Sequence, residues 1–286
     1  MEPPNIVEPL DYEAIFVQMR EAFVELDPSY TALLDSDPVI KLLQVSAYRE
    51  LILRQRINDA GKAVMLAHST GVDLDNLAAL FGISRLLVDA GDPDASPVVQ
   101  PTYEDDASLR KRTQLSLEAI TTAGSSGSYV FHTLSASGLV KDVYVSSPAP
   151  GQVNITVLST LDDGVPTQSL LDVVTAALNH EDVRPLTDQV IISAASVIPY
   201  TVEAVLEVGS GPDAELVRQE AETAINAHVA ASHILGKNIT LSGVFAALHV
   251  AGVDRVTINQ PVADIEPNSQ QAAYCSMVEV TLDGEQ

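Results

Sequence analysis

Apolar residues recur at helical intervals through the first 90 positions. Between Leu10 and Leu26, the residues Ile15, Phe16, Met19, Phe23 and Leu26 fall on one stripe, and Pro28 follows as a stop. Asp37-Pro38 is a favoured cap and first-turn pair, so a second helix is predicted from Pro38 to Ala67, about eight turns long. Gly61 is a possible interruption. The charges Arg49, Glu50, Arg54, Arg56, Asp59 and Lys62 are scattered around this helix, so its apolar side chains point several ways and call for more than one neighbour. A third helix is predicted from Asp73, read as its cap, to Phe81, between Gly71 and Gly82.

Asp89 to Pro101 is rich in Pro, Gly, Ala and Asp and reads as a linker, with a domain boundary inside it. The helix after it opens with Glu104, Asp105 and Asp106, where the positive end of the helix dipole favours carboxylates. Gly124-Ser125-Ser126-Gly127-Ser128 reads as its flexible end.

From Ser128 the period alternates between helix and strand. A short helix, Tyr129 to Ser137, ends at Gly138 and leads to a strand through Val143 and Val145. Pro148-Ala149-Pro150-Gly151 turns the chain into a second strand through Val153, Ile155 and Val157. Leu170, Val173, Val174, Ala177 and Leu178 make a helical stripe before a strand at Val190 to Ile192, so this unit reads αββαβ. Val202, Ala204, Leu206 and Val208 then alternate with Glu203 and Glu207, and Gly209-Ser210-Gly211-Pro212 closes the strand. Helices from Asp213 to Ala231 and Ser242 to Ala251 precede strands at Val256-Ile258 and Val278-Leu282, giving βααββ. The run Ser126-Gly127, Val130-Phe131, Leu134, Gly138, Val143 and Val145 aligns to Ser242-Gly243, Val244-Phe245, Leu248, Gly252, Val256 and Ile258, a weak internal repeat for which chance is a rival. The fold class is therefore α+β: a helical region over 1–90, a linker and connecting helix over 91–127, and two small α/β sandwich units over 128–198 and 199–286.

Composition narrows the function. With 15 Lys+Arg against 39 Asp+Glu, the net charge of −24 repels phosphate backbones and anionic lipid, so neither nucleic acid nor membrane is an expected partner. The N-terminal MEPPNIVEPLDYEA lacks the basic and apolar regions of a signal peptide, which points to synthesis in the cytoplasm. The sequons Asn154-Ile155-Thr156 and Asn238-Ile239-Thr240 then read as strand residues. Cys275 cannot pair within the chain and reads as a buried strand thiol.

The sequence nominates no catalytic, metal or cofactor site. His68, His132, His180, His228, His233 and His249 show no ligand spacing, and His228 and His233 are poorly placed on one helix to share a metal. Gly236-Lys237-Asn238 is similar to the end of a P-loop but lacks its upstream glycine and its Ser/Thr. Asp73/Asp75, Asp105/Asp106 and Asp162/Asp163 are better read as caps, first-turn acids and turn chemistry than as acid-base pairs. The Gly124–Ser128 run has the wrong glycine spacing for a nucleophile elbow. Arg49, Arg54 and Arg56 could bind a carboxylate partner, although Glu50 and Arg54 already form an i,i+4 pair.

Several phrases resemble the baseplate assembly protein J family of contractile phage tails and R-type tailocins (R-type pyocins). They are Tyr48-Arg49-Glu50, Arg56-Ile57-Asn58, Gly71-Val-Asp73-Leu-Asp75-Asn-Leu-Ala78, Leu109-Arg-Lys-Arg112, Asp142 to Leu158 with its Pro148 and Gly151, and Val183-Arg184-Pro185-Leu-Thr-Asp188. The match runs over roughly 38–208, with the last quarter less distinctive. The resemblance implies an oligomeric structural wedge subunit and no enzyme. It implies partnership with a second copy and a tail protein I-like chain through a helical core bundle, with wedges linked into a ring around hub and spike. A lysozyme-like small baseplate protein and the sheath are further implied neighbours. The candidate bundle residues are Leu43, Tyr48, Arg49, Leu51, Ile52 and Arg56; Asp73, Asp75, Pro148, Gly151, Arg184, Pro185 and Asp188 are candidate structural motif residues. Two alternatives stay open: a two-domain α/β enzyme, which predicts a deep polar pocket, and a wedge adaptor of a non-phage contractile injection system. The α/β half from Ser128 is expected to fold without the N-terminal helices and to self-associate.

Overall fold

The computed structural model describes residues 7–30, 34–121, 124–209 and 213–283. The chain divides into two compact units, residues 1–84 and 85–286.

The first unit is helical. Helix α1 (Tyr12–Leu26) starts where the Asp11 carboxylate accepts from the Glu13 and Ala14 amides, and α2 (Pro38–Ala63) where Asp37 accepts from Val39 with Pro38 in the first turn. Gly61 lies inside α2 without breaking it, and the helix stops four residues before the predicted Ala67. Helix α3 (Gly71–Ala79) is offset toward the N-terminus from its predicted span. Thr70 occupies its cap position and Asp73 sits in the first turn, near the positive dipole end, so Asp73 is not the cap that the sequence suggests. Helices α1 and α2 pack together. Buried Asn58 extends this contact: its side chain donates to the Glu8 carbonyl at 2.8 Å and accepts from the Glu8 amide at 3.0 Å, pinning the segment before α1 onto α2.

The second unit begins with a ribbon. Strand β1 (Leu87–Asp89) pairs antiparallel with β2 (Thr102–Tyr103), and between them Asp92 and Val99 exchange two backbone bonds at 3.0 Å. The stretch read as a linker is therefore a hairpin. The Gly, Pro and Asp that mark linkers also build tight turns, and Gly91 takes a φ of +67° with the Val99 and Gln100 backbones against it. Helix α4 (Asp106–Leu115) is capped by Asp105, which accepts from the Ser108 amide at 2.8 Å, and a 3-10 turn (Ser116–Ile120) extends it. The Gly/Ser run does not fray: the Ser125 hydroxyl accepts from the Ser128 amide and starts α5 (Ser126–Ala136), three residues before the predicted start.

Strand β3 (Val140–Ser146), strand β4 (Gln152–Ser159), helix α6 (Gln168–Leu178) and strand β5 (Gln189–Ala194) complete the first α/β unit. Strand β4 is central, antiparallel to β3 and parallel to β5. Val153, Ile155 and Val157 alternate onto the face covered by Tyr129 and Leu134 of α5 and by Leu170, Val174 and Leu178 of α6. After Ala195 the chain enters β6 (Ser196–Val208), then α7 (Ala214–Ser232), α8 (Leu241–Leu248), β7 (Val253–Gln260) and β8 (Gln271–Leu282). The predicted closing residues Ser210, Gly211 and Pro212 lie outside the described residues. Here β6 is central, antiparallel to β7 and parallel to β8, and Val202, Ala204 and Leu206 meet Val217, Ala221 and Ile225 of α7.

The two sheets share one plan with different wiring. In the first the chain runs helix, antiparallel edge, centre, helix, parallel edge; in the second it runs centre, helix, helix, antiparallel edge, parallel edge. The weak internal repeat aligns α5–β3 with α8–β7, and each is a helix leading into the antiparallel edge strand. Leu158, Ala195 and Ala272, with Leu235 against them, form a small core between the two sheets.

Candidate functional site

Three places bring together the side chains most able to act. The first is α2. Among the described residues of 7–84, only Ile15, Ile40, Ala47, Leu74 and Ala78 are fully buried apolar residues, whereas twelve large apolar ones are exposed. Six of those twelve lie on α2: Leu42, Val45, Tyr48, Ile52, Leu53 and Ile57. At 100° per residue, Ile40, Ala47 and Asn58 share the buried side, while Lys41, Val45, Tyr48, Arg49, Ile52, Arg56 and Asp59 share a face well away from it. The candidate bundle residues therefore separate. Tyr48, Arg49, Ile52 and Arg56 are on the open face; Leu43 and Leu51 are half-buried and flank the buried side. Leu51 also lines a shallow groove with Leu10, Tyr48 and Ile52. Lys41 and Val45 complete the stripe and were missed, although their i,i+4 spacing to Arg49 was readable in the sequence. Arg54 is committed elsewhere, to Glu50 at 2.6 Å and Glu8 at 3.2 Å, which raises its pKa through the Glu50 hydrogen bond first.

The second place is one end of the first sheet. The Gln189 amide donates to the Gly151 carbonyl at 2.7 Å, which puts the Pro148–Gly151 hairpin beside the Val183–Asp188 loop. Asp188 accepts from the hydroxyl of buried Tyr129 at 2.8 Å, and burial together with that bond pushes the phenol's pKa up. Gly124, at φ +71°, passes so close that a Cβ would lie 2.8 Å from Pro185 Cγ and 2.9 Å from Asp188 Oδ2. Arg184 is exposed and donates to Asn179 at 2.9 Å, and Leu186 at the loop tip is fully exposed. Pro148, Gly151, Pro185 and Asp188 thus meet at one end, while Asp73 and Asp75 belong to α3 of the other unit.

The third place joins α4 to the sheets. Glu104, one residue before the α4 cap, is buried and binds Arg112 through contacts of 2.6 and 3.1 Å, while its Oε1 also accepts from the Leu86 amide at 3.0 Å. It is not a first-turn helix acid. Arg85 donates to the Glu104 carbonyl and pairs with Asp106. Further on, Asp142 receives Lys111 at 2.9 Å and the Leu235 amide at 3.1 Å, and Lys141 Nζ donates to His233 Nδ1 at 3.0 Å. Burial first, then the Lys141 charge, lower the His233 pKa, with Asp163 pulling the other way. His233 is thus a buried junction residue at the end of α7.

A cavity of about 20 Å³ lies beside the Glu104–Arg112 pair, room for roughly one water, and its carboxylate is already committed to Arg112. Cys275 is half-buried, burial pushes its thiol pKa up, and its Sγ–H donates to the Met277 carbonyl at 3.2 Å. Among the described residues no group of three His, Cys, Asp or Glu could hold a metal ion, and no helix is long and apolar enough to cross a membrane.

Comparison with known proteins accounts for this distribution of features. The chain matches the Baseplate J-like N-terminal domain over residues 35–92, the Baseplate J-like central domain over 121–194 and the Baseplate J-like protein C-terminal domain over 200–281. It is 42% identical to baseplate protein J of Escherichia phage P2 over 98% of this chain and 95% of that protein. The first match contains the open face of α2, the second the hairpin and the Val183–Asp188 loop, and the third most of the second sheet. With all three domains in order along one chain, the protein belongs to the baseplate J-like family of structural baseplate proteins.

Proposed function

We propose that this chain is a wedge subunit of a contractile-tail baseplate, made in the bacterial cytoplasm and incorporated into the particle. Its N-terminal helices join a second copy and a tail protein I-like chain in a helical bundle, and its α/β half meets neighbouring wedges in the ring around hub and spike. Hub, spike, sheath and a lysozyme-like small baseplate protein are its further neighbours. The division into a helical region, a connecting region and two α/β units over 128–198 and 199–286 belongs to the same reading, its first boundary moved from 90 to Ser84/Arg85 because the β1–β2 hairpin spans residue 90. In it Pro148, Gly151, Arg184, Pro185 and Asp188 shape the surface of the central unit, and Asp73 and Asp75 shape α3.

The observation that carries this reading is the exposed apolar face of α2. A unit that, among its described residues, fully buries five apolar side chains and exposes twelve large ones has too little core to be an end in itself. Such a face is covered in the assembled state, as in other helix-in-groove contacts. The test is co-production of the full chain with its tail protein I-like neighbour and measurement of co-purification. The double variant Val45→Asp/Ile52→Asp is expected to lose the partner, because it removes the apolar strip and puts two carboxylates into the seam, where they engage Lys41, Arg49 and Arg56 one turn away instead of the partner. Both positions are exposed in the free chain, so folding by circular dichroism should be unchanged. Wild-type co-purification by that variant would refute the bundle.

A further inference from the structure

Charge is distributed unevenly over this molecule. The chain as a whole carries −24, yet α2 holds Lys41, Arg49, Arg54, Arg56 and Lys62 against only Glu50 and Asp59, so this helix is +3 and the remainder is −27. Three of those cations share the open apolar face. Lys41, Arg49 and Arg56 lie on the same stripe as Val45, Tyr48 and Ile52 and form no ion pair among the described residues, whereas Arg54 is consumed by Glu50 and Glu8 on another side. Asp59 ends the stripe and accepts from Gln55 at 2.7 Å. From Lys41 to Asp59 the stripe is roughly 27 Å long at 1.5 Å per residue, the reach of a helix of about 20 residues.

Resting on the bundle reading above, we propose that the open face of α2 is a socket for an acidic amphipathic helix of a different chain, with apolar residues on Val45, Tyr48 and Ile52 and carboxylates facing Lys41, Arg49 and Arg56. A second copy of α2 is the poorer occupant: parallel pairing sets cation against cation throughout, and antiparallel pairing matches Lys41 only with Asp59 while Arg49 meets its own copy beside a water-poor seam. A helix with acidic flanks meets the apolar strip and all three cations together. Charge then selects the partner as well as attracting it. Two copies of this subunit in one bundle would meet through other faces, each presenting its α2 stripe to a helix of opposite sign.

The experiment uses the full chain and two synthetic helical peptides of about 20 residues. Both carry Leu along one face; one is flanked by Glu and the other by Lys. At about 50 mM salt the Glu-flanked peptide should bind about tenfold tighter, the combined effect expected of three exposed ion pairs, and the preference should shrink at about 500 mM. In Lys41→Glu/Arg49→Glu/Arg56→Glu the preference should invert. Equal binding of the two peptides, tighter binding of the Lys-flanked one, no binding of either, or dimerisation of the wild type through this face as tight as its hold on the Glu-flanked peptide overturns the inference. Val45→Asp/Ile52→Asp tells the two failures apart. If that variant loses its tail partner while the peptides bind equally, the charge argument fails and the bundle stands; if it keeps the partner, the bundle itself fails.

Discussion

Glu104 and Arg112 show how a buried charge pair ties one element to another. Each side chain is about 95% withdrawn from water, and the carboxylate also satisfies the Leu86 amide, so ribbon and helix are tied by one acid. Arg112→Met should cost about 3–5 kcal/mol, because Glu104 is then left charged and unpaired in the interior. Adding Glu104→Leu should restore a large part of that loss, since the uncompensated charge goes with it; thermal or urea unfolding of both variants reads the difference. If the single variant unfolds like the wild type, the pair is not buried in solution. This pair was invisible in the sequence. Glu104 lies outside α4, before its cap, and Arg112 within it, so no helix or strand period relates the two.

His233 gives a second residue-scale expectation. Its folded-state pKa lies below the ordinary 6.5, so on acidification the unfolded chain takes up the proton first. The stability this histidine contributes is complete above about pH 6.5 and is lost as pH falls through the depressed folded value. His233→Gln, which keeps an acceptor for Lys141, should flatten the decline in melting temperature between about pH 7 and pH 5 relative to the wild type. Carboxylates and the similarly desolvated His132 titrate in both proteins and cancel in the comparison. Parallel slopes would show that His233 is hydrated in solution.

At the level of elements, periodicity read from the sequence located most helices and strands because burial enforces it. Val153, Ile155 and Val157 face the helices while Leu170, Val174 and Leu178 return the contact, and both patterns are plain in the chain. The misreadings cluster where short polar residues decide. Ser125 caps α5 although its neighbours look like a flexible tail, and the Asp89–Pro101 stretch closes into a ribbon through the paired backbones of Asp92 and Val99. Hydroxyl and carboxylate caps, positive-φ glycines and backbone exchanges leave little trace in a hydrophobic pattern. On α2 helical spacing alone groups the charges, and what the sequence lacks is which side of the helix is buried. Ile40, Ala47 and Asn58 mark the buried side, which leaves Lys41, Arg49 and Arg56 on the open one.

At the scale of the molecule, the division at Ser84/Arg85 sets where the chain can be cut. A fragment beginning at Ser125 would discard Arg112, Glu104 and the Lys111 bond to Asp142, removing α4 from the sheets it braces. A fragment of residues 85–286 retains all of these and should unfold cooperatively in urea, whereas the Ser125 fragment should be markedly less stable. Sedimentation of the longer fragment over a range of concentrations then tests whether the α/β half carries its own self-association; a strict monomer at high concentration would return that role to the helices. Equal stability of the two fragments would mean that α4 is not a brace.

The join between the two sheets sets how this half of the protein handles load. Strand β5 ends at Ala194 and β6 begins at Ser196, so one buried residue, Ala195, is the whole connection, and Leu158, Ala272 and Leu235 close around it. Ala195 donates its amide back to Val157, and Ser196 donates to Gln270, so the first sheet's last bond and the second sheet's first are made on adjacent peptides. There is no slack to take up. A pull or twist on the edge strand β5 therefore reaches the central strand of the other sheet across a single residue.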